Sequence, residues 1–279
     1  MTSWQRCVDD LLQVQPKLAL LCALNEDKVE KLKGYVIELV KWNQRFNFVS
    51  RKDIHRLAQR HILDSAAVYH MLQPGDVLDI GTGAGLPGMV LAILDYGNQH
   101  ERQYVLADRN ARKVRFLNHV SDELGLSYVK ATQMDVGRAP NDHKFSNVVS
   151  RAVAPVEQLW QWSERFLEAQ ESVPSSQTQH SKILGRAVLH VATMHASPSE
   201  LDQLVAFCAN LPEHLQWRLS AFNLNTAHFE AVEDLDQLSG AQDILAQLPD
   251  PTEQEAVSQH AEGQLILEIC ASDNQFNEL

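Results

Sequence analysis

The chain has 279 residues, of which 44% are hydrophobic and 22% are charged, and its formal net charge at pH 7 is -12. This is the composition of a folded globular protein, and it excludes a disordered chain, a collagen-like repeat and a coiled coil. The four cysteines, Cys7, Cys22, Cys208 and Cys270, form no CxxC pair, so we expect no metal site, no disulfide framework and a reducing, cytoplasmic environment.

The N-terminal region, residues 1–72, is predicted to be helical. Apolar residues between 29 and 40 recur near the 3.6-residue period of a helix. Asp53 is placed to cap a further helical stretch that reaches about residue 72. The most apolar segment, 18–24, is too short to span a membrane and is not a convincing signal peptide. We therefore expect a soluble protein with no membrane partner.

Strand and helix patterns alternate in the remaining region, residues 73–279. In chain order they predict strand 77–80, helix 87–95, strand 104–107, helix 110–124, strand 128–131, strand 148–150, helix 155–167, strand 186–192 and helix 198–209. Such alternation is typical of a parallel sheet with helices on both faces. Two late strands, 216–224 and 264–270, are predicted to pair antiparallel at an edge of that sheet.

Two segments of this region are predicted to be insertions. Residues around 170–182 are rich in Ser, Gln and Pro, which is typical of a loop. Residues 225–263 contain nine Asp and Glu side chains and neither Lys nor Arg. Much of the net negative charge therefore lies in one segment, and the rest of the chain is nearly balanced.

The segment VLDIGTGAGLPG, residues 77–88, carries the strongest indication of a binding site. Gly81, Gly83 and Gly85 directly follow a predicted strand, and glycine supplies the positive φ and the missing side chain that a tight turn against a ligand needs. Gly83, Gly85 and Gly88 also satisfy the G-x-G-x-x-G pattern of dinucleotide-binding folds. The loop therefore predicts a nucleotide cofactor, either S-adenosylmethionine or a nicotinamide dinucleotide.

Two acidic residues near the loop support nucleotide binding, and one of them, Asp79, favours S-adenosylmethionine. If the turn begins at Gly81, Asp79 lies at the carboxyl end of its strand and can meet the ammonium group of that cofactor. If a nicotinamide fingerprint begins at Gly83, Asp79 is instead an unpaired carboxylate inside a buried strand, which is costly. Asp108 closes the next strand and can accept hydrogen bonds from the ribose hydroxyls of either cofactor. The alternatives are that Asp79 caps the loop and that Asp108 caps the helix that starts at Asn110.

Five separate stretches of the sequence occur together, in the same order, in one known family. They are KWNQRFNFVS (41–50), RHILDSAAV (60–68), VLDIGTGAGLPG (77–88), LADRNARKVRFL (106–117) and SRAVA (150–154). With them the chain resembles the bacterial small-subunit rRNA guanine-N7 methyltransferases, the glucose-inhibited division protein B family, from about residue 30 to residue 209 and more faintly through the last strands.

The resemblance implies a Rossmann-like class I methyltransferase fold, with a mostly parallel seven-stranded sheet and an N-terminal helical cap. It implies S-adenosylmethionine as methyl donor and N7 of a guanine in 16S rRNA as acceptor. By position, Gly81 and Leu86 line the methionine and ribose side of the cofactor, Met134 and Asp135 line the adenine side, and Arg151 closes the site.

Two positions depart from the family pattern. The family has Ala-Glu where this chain has Met134 and Asp135, so a carboxylate is kept but is one methylene shorter. The family also has Leu-Lys-Gly at the end of the fifth strand, where this chain reads Thr193-Met194-His195. A basic contact in the cleft is therefore replaced by Met194.

Guanine N7 has an in-plane lone pair and no proton, so its methylation needs no general base. We expect Arg151 to orient the acceptor, with Arg60 and His61 as helpers from the helical cap. The alternatives are that Arg151 forms a structural ion pair with Asp79 and that His61 is a packed or capping histidine.

The predicted partner is 16S rRNA or the small ribosomal subunit, bound by a monomer. Residues 1–60 hold eleven Lys and Arg against seven acids, and a second basic cluster begins at Arg109. The hypothesised contacts, which could also be ordinary solvated side chains, are Lys31, Lys33, Lys41, Arg45, Arg60, His61, Arg109, Arg112 and Lys113. Two other functions stay open: a nicotinamide-dependent oxidoreductase, and a degenerate methyltransferase fold that binds S-adenosylmethionine or RNA without turnover.

Overall fold

The computed structural model describes residues 3–51, 53–98, 102–140, 142–151, 153–167, 188–194, 198–212, 215–223, 226–231 and 263–271. The predicted insertion at 170–182 lies outside these residues, and so does the acidic segment 225–263 apart from residues 226–231 and 263. In the described stretches no helix is long and apolar enough to cross a membrane, and no group of three His, Cys, Asp or Glu side chains could hold a metal ion.

Two long helices open the chain, α1 (Ser3–Leu21) and α2 (Glu26–Phe46). The side chain of Asn25 accepts a hydrogen bond from the N–H of Lys28 and so caps the start of α2. Asn47 ends α2 in the left-handed region, with a φ of 50°, which asparagine adopts more readily than most residues. The apolar face that predicted this helix is buried against α1 and the sheet domain.

Short helical turns follow: a 3-10 turn Ile54–Arg56, a π-helical turn Leu57–Leu63, helix α3 (Asp64–Ala67) and a 3-10 turn Val68–Met71. The predicted helical structure up to about residue 72 is confirmed. The prediction that Asp53 caps it is wrong, because the Asp53 side chain makes no cap hydrogen bond. Its carboxylate accepts from the Ser50 hydroxyl instead.

The sheet domain contains eight strands in the described residues: β1 (Val77–Ile80), β2 (Tyr104–Asp108), β3 (Val129–Gln133), β4 (Asn147–Arg151), β5 (Val188–Met194), β6 (Leu215–Asn223), β7 (His228–Ala231) and β8 (Gly263–Ala271). Its helices are α4 (Gly88–Asp95), α5 (Ala111–Glu123), α6 (Val156–Ser163) and α7 (Pro198–Ala209). The predicted elements are all present, with ends that shift by at most a few residues.

The strand order is β3-β2-β1-β4-β5-β8-β6-β7. The first five strands in this order are parallel, and β8, β6 and β7 run antiparallel to their neighbours. This is a Rossmann-like fold, as expected, but the predicted count of seven strands is wrong because β7 adds an eighth. The predicted β6–β8 pairing is confirmed, whereas its position at the edge is not: β8 lies between β5 and β6, and β7 forms the edge.

Apolar side chains on the two faces of the sheet belong to two separate cores. Leu106 and Val149 pack with α1, α2, α4 and α5, whereas the adjacent Ala107 and Val148 pack with α6 and α7. The alternation follows from the two-residue period of a strand. Because the strand order reverses between β1 and β4, a crevice opens beyond their carboxyl ends, where ligands bind in folds of this type.

Candidate cofactor site

The loop between β1 and α4 makes the tight turn that its glycines predict. Gly81, Gly83 and Gly85 have φ values of 68°, 61° and 101°, a region that glycine adopts without steric cost. The N–H of Thr82 donates to the Ala107 carbonyl at 3.0 Å, which ties the loop to the end of β2. The loop is therefore anchored between two strands at the sheet's carboxyl edge.

These glycines differ in what surrounds them. A Cβ atom built on Gly81 would lie 2.5 Å from a methyl group of Val153, and one built on Gly85 would lie 2.7 Å from the Cβ of Met89. At Gly83 the nearest atoms would be 3.8 Å away. Close packing thus requires glycine at Gly81 and Gly85, while Gly83 leaves open space beside the loop.

A cavity of about 310 Å³ lies beside the loop. Its lining includes Gly81 from the loop, Asp108 and Arg109 from the end of β2, Met134 from the end of β3, and Trp162 from α6. Three of the predicted cofactor residues, Gly81, Asp108 and Met134, are thereby brought together, and two residues predicted as RNA contacts, Arg109 and Lys113, line the same cavity. The other predicted cofactor residues are not among those that line this cavity: Asp79, Gly83, Gly85, Leu86, Asp135 and Arg151.

Asp108 is held from two sides at the cavity wall. Its Oδ2 accepts from the N–H of Gly83 at 3.0 Å, and its Oδ1 accepts from the N–H of Asn110 at 2.8 Å. The Nζ of Lys113 lies 3.5 Å from Oδ2. The alternative that Asp108 caps the start of α5 thus has a contact in the structure, but each carboxylate oxygen can accept a further hydrogen bond.

Asp79 is buried in β1, with 1% of its surface exposed, and does not face the crevice openly. Its Oδ2 accepts from the N–H of Gly88 at 2.8 Å, so the alternative that Asp79 braces the loop also has a contact. The neighbouring Thr82 hydroxyl acts to lower the pKa of Asp79. Within the described residues, however, neither Oδ1 of Asp79 nor the Thr82 hydroxyl has a hydrogen bond of good geometry. Burial raises the pKa of Asp79 to about 6.

Of the two residues predicted for the adenine side, Met134 lines the cavity, together with Trp162, and Asp135 does not. The N–H of Met134 donates to the Asp108 carbonyl at 3.0 Å, which fixes the chain directly after β3. Asp135 turns to the cavity rim, where its Oδ1 lies 2.8 Å from Arg109. The Arg109 guanidinium in turn lies 5.8 Å from the centre of the Trp162 ring, within reach of a cation–π contact.

Arg151 forms a buried ion pair, but not with Asp79. Its guanidinium donates to Asp64 at 2.6 Å and to Nδ1 of His61 at 3.0 Å. The alternative of an ion pair with Asp79 is therefore wrong, because the π-helical turn and α3 bring Asp64 to the end of β4. His61, which was expected to assist Arg151, is in direct contact with it, and the roles of both residues stay predictions.

The contact also fixes the chemical state of His61. Because an arginine can only donate, Nδ1 of His61 must accept, and the proton of the neutral ring lies on Nε2. Burial, followed by the charge of Arg151, lowers the pKa of His61 to about 4. Nε2 is buried and has no hydrogen-bond partner among the described residues. It therefore offers an N–H donor.

Most of the predicted RNA-binding cations have partners within the protein. The pairs are Lys31 with the Leu124 carbonyl (2.6 Å), Lys33 with Glu30 (2.6 Å), Lys41 with Glu38 (2.6 Å), Arg60 with Asp53 (3.3 Å), Arg109 with Asp135 (2.8 Å) and Lys113 with Asp108 (3.5 Å). The side chains of Arg45 and Arg112 have no such partner in the described part of the chain. Lys31 also lies 3.9 Å over the Tyr96 ring, so it helps hold the helices together.

Sequence reasoning missed Trp162, Val153 and Tyr35. Trp162 could have been found as an aromatic residue on the helix that follows the fourth strand. Val153 covers Gly81 because the loop after β4 passes across the loop after β1. Tyr35 lies on α2, far from the loop in sequence, and no local pattern connects the two.

Tyr35 braces the glycine loop from behind. Its side chain is fully buried, and its hydroxyl donates to the Ala84 carbonyl at 3.0 Å. We expect Tyr35→Phe to destabilise the fold by about 1–2 kcal/mol, because a buried carbonyl loses its partner, and to weaken S-adenosylhomocysteine binding several-fold. Thermal unfolding and calorimetric titration measure the two effects.

Tyr128→Phe is the matched control. The Tyr128 hydroxyl also donates to a carbonyl, that of Ala92 in α4, at 3.0 Å. It should reduce stability without changing cofactor affinity. Equal affinity losses in the two variants would show that Tyr35 has no special effect on the loop.

The model of one protein family matches residues 28–198, more than half of the chain, and describes the family as rRNA small subunit methyltransferase G. A protein of Halorhodospira halophila (strain DSM 244 / SL1), named ribosomal RNA small subunit methyltransferase G, is 38% identical over 136 residues, which are 49% of this chain and 63% of the relative. The match thus spans less than two thirds of that relative's length.

A protein of the same name from Serratia proteamaculans (strain 568) is 37% identical over 158 residues, 57% of this chain and 72% of the relative. Among solved structures, coclaurine N-methyltransferase bound to N-methylheliamine and SAH gives a TM-score of 0.47 at 11% identity, over 97% of this chain and 95% of that chain. On the extent of the family match and the identity to these relatives, the chain belongs to the rRNA small subunit methyltransferase G family.

Proposed function

We propose that this protein is an S-adenosylmethionine-dependent methyltransferase that modifies N7 of a guanine in 16S rRNA. The observation that carries the proposal is the cavity beyond β1 and β2, where an open glycine loop meets one anchored carboxylate at its wall and one buried carboxylate behind it. The names of the relatives support the substrate class. We place the reaction in the cytoplasm and expect a monomeric enzyme.

The residues at the cavity fit the chemical groups of this cofactor. The backbone at Gly81 and Gly83 would lie against the ribose and methionine parts, and Asp108 would accept from the ribose hydroxyls. Met134 and Trp162 would cover the adenine ring, with Asp135 at the rim beside its amino group. When bound, S-adenosylmethionine supplies a methyl group on a positively charged sulfur, a strong electrophile.

Asp79 favours this cofactor over a nicotinamide dinucleotide. Its Oδ1 and the Thr82 hydroxyl lie near each other next to the glycine loop, without a hydrogen bond of good geometry between them. A buried carboxylate that is so poorly satisfied costs free energy unless a ligand satisfies it. An ammonium group meets that requirement, since it donates hydrogen bonds and neutralises the carboxylate. A nicotinamide dinucleotide has no cation of this kind on its pyrophosphate.

For methylation of guanine N7, the main task of the protein is to orient the acceptor base. Guanine N7 has a free lone pair, so no residue has to remove a proton, and the rate depends on holding the base in line with the methyl group. Arg151, Asp64 and His61 form a rigid, buried group at the end of β4. We propose that Arg151 orients the acceptor base and that Asp64 and His61, through their contacts with Arg151, hold its guanidinium in place.

Two titrations and one assay test the proposal. Purified protein should bind S-adenosylhomocysteine and not NADH in calorimetric titrations, and it should transfer a radiolabelled methyl group from S-adenosylmethionine to 16S rRNA or to the small subunit. Mapping of the product by N7-specific strand cleavage should identify one guanine. NADH binding alone would overturn the cofactor, and cofactor binding without methyl transfer would favour the degenerate fold.

Arg151→Lys should separate positioning from cofactor binding. Lysine keeps the charge but cannot donate in a fork to Asp64 and His61 together. We expect the single-turnover methylation rate to fall by about 10- to 100-fold through misorientation, with S-adenosylhomocysteine affinity within threefold of the wild type.

Arg102→Lys is the control for burial and charge. Arg102 is also 10% exposed and pairs with buried Asp95 at 2.8 Å, but it lies before β2, at the opposite end of the sheet from the cavity. An equal loss of rate in both variants would indicate a general structural effect and would remove the positioning role of Arg151.

A further inference from the structure

A second cavity, of about 480 Å³, lies between the end of α2 and the first half of α5. It is larger than the cavity at the glycine loop, and none of its residues contributes to the cofactor site. The residues that matter for its chemistry are Trp42, Phe46, Lys41, Arg45, Arg115 and Glu38.

One wall of this cavity is an aromatic platform. The ring centre of Trp42 lies 5.6 Å from that of Phe46 and 5.5 Å from that of Phe116. Phe46 and Phe48 are stacked at 5.7 Å with an interplanar angle of 14°. Phe116 is fully buried and anchors the group, whereas 40% of Phe46 is exposed. The platform is therefore rigid at its base and open to solvent at its edge.

The rim of the cavity is positively charged. Arg45 and Arg115 are exposed and have no ion-pair partner in the described residues. The one acid, Glu38, accepts from Lys41 at 2.6 Å and lies 3.3 Å from His119. Partial burial acts to raise the pKa of Glu38, but these hydrogen bonds lower it overall, so it stays ionised and neutralises Lys41. Two arginines thus remain free to bind an anion.

We infer that this cavity binds an unstacked nucleotide of the RNA substrate, with its base on Trp42 and Phe46 and its phosphates on Arg45 and Arg115. Aromatic rings beside arginines are the usual means of holding single-stranded RNA, because each base has a flat face and each phosphate a negative charge. The inference rests on the proposed function and adds a second RNA site to it.

The position of the cavity relative to the cofactor site supports this role. Lys113 lines the cofactor cavity and Arg115, two residues later on α5, lines the aromatic cavity. Each residue of a helix is rotated by about 100° from the one before it, so residues two positions apart differ by about 200°. The side chains of Lys113 and Arg115 therefore point to opposite sides of α5. One RNA loop can therefore place its target base on one side of the helix and a neighbouring base on the other.

Phe46→Ala tests base stacking most directly. Phe46 is exposed, and its loss leaves the contact of Trp42 with Phe116 intact. In filter binding to a 16S rRNA transcript we expect affinity to fall by about 5- to 100-fold, the usual effect of losing one stacked base. The double variant Arg45→Gln, Arg115→Gln should reduce the slope of log affinity against log salt by about 1.4, as expected for two phosphate contacts on a single strand.

The controls match these changes elsewhere on the surface. Leu20→Ala removes an apolar side chain that is 58% exposed on α1, and Lys130→Gln removes an exposed cation on β3. Neither should alter RNA binding, and none of the variants should alter the affinity for S-adenosylhomocysteine. Ultraviolet cross-linking followed by mass spectrometry should place an RNA nucleotide on Trp42 or Phe46.

The outcomes separate this inference from the proposed function. If the wild-type protein binds 16S rRNA and Phe46→Ala binds it equally well, with no cross-link at the platform, the inference is wrong and the proposed function stands. In that case we would expect the aromatic platform to bind a protein partner instead. If the wild-type protein binds no small-subunit RNA, both are wrong.

Discussion

Gly83→Ala is expected to weaken cofactor binding strongly while the protein remains folded. A Cβ atom at this position meets no protein atom closer than 3.8 Å, so the apo structure accommodates it. The left-handed φ of 61° costs alanine about 1 kcal/mol. Gly83 donates its N–H to Asp108, which lines the cavity. A Cβ in the open space beside it would meet a ligand bound there, and we expect S-adenosylhomocysteine affinity to fall by about 100-fold, as forced overpacking does elsewhere.

Gly125→Ala provides the matched control. Gly125 follows α5 with a φ of 64°, and a Cβ there meets nothing within 4 Å. The two variants should lose the same stability in urea or thermal unfolding, but Gly125→Ala should keep wild-type affinity in calorimetric titration. Full cofactor binding by Gly83→Ala would mean that the ligand does not approach this side of the loop.

Asp79→Asn is expected to raise stability and lower cofactor affinity at the same time. Asparagine can still accept from the N–H of Gly88, but it carries no charge to bury or to offer to an ammonium group. At pH 8 we expect a gain of about 1–3 kcal/mol in the free energy of unfolding. We expect a loss of about 10- to 100-fold in S-adenosylhomocysteine affinity, typical of a lost hydrogen bond to a charged group.

The pH dependence follows from the raised pKa of Asp79, about 6 in the folded protein against 3.8 for an ordinary aspartate. Between these values the folded state binds more protons than the unfolded state, so the contribution of Asp79 to stability is present at low pH and is lost as the pH rises through about 6. Cofactor affinity should change in the opposite direction, falling below about pH 6 as the carboxylate is protonated. Asp79→Asn should remove both dependences.

Adenosine is the control ligand for this prediction, since it lacks the amino-acid part of the cofactor. Its affinity should be the same in Asp79→Asn and in the wild type, and independent of pH near 6. If adenosine and S-adenosylhomocysteine lose affinity equally, Asp79 supports only the shape of the loop. A calorimetric pH series with both ligands decides between these roles.

The buried ion pair of Arg151 and Asp64 is a contact that local sequence patterns did not predict. Both residues lie in stretches that resemble the family, and Arg151 was expected at the site. The one ion-pair partner considered for it, as an alternative, was Asp79, but the partner is Asp64, 87 residues away in sequence. Nothing in the spacing of charges indicates that the turns after residue 53 carry Asp64 to the end of β4. The same turns bring His61 there and fix its tautomer.

The sequence by itself determined the elements whose signals are local. The two-residue and 3.6-residue periods predicted the strands and helices of the described sheet, and the strand-turn-helix context of Gly81, Gly83 and Gly85 predicted a nucleotide site. Asp108 was predicted at the end of β2 for the same reason. These features depend on neighbours within a few residues, and the side-chain pattern encodes them directly.

Only the tertiary structure decided which distant side chains share a site. Tyr35 reaches the loop from α2, Val153 covers Gly81 from beyond β4, and Trp42 joins Phe116 across two helices. The order of β8 and β7 at the sheet edge also depends on pairing between strands far apart in the chain. The physical reason is that such contacts are selected by the burial of apolar area and the satisfaction of polar groups over the whole fold, and no short stretch of sequence contains that information.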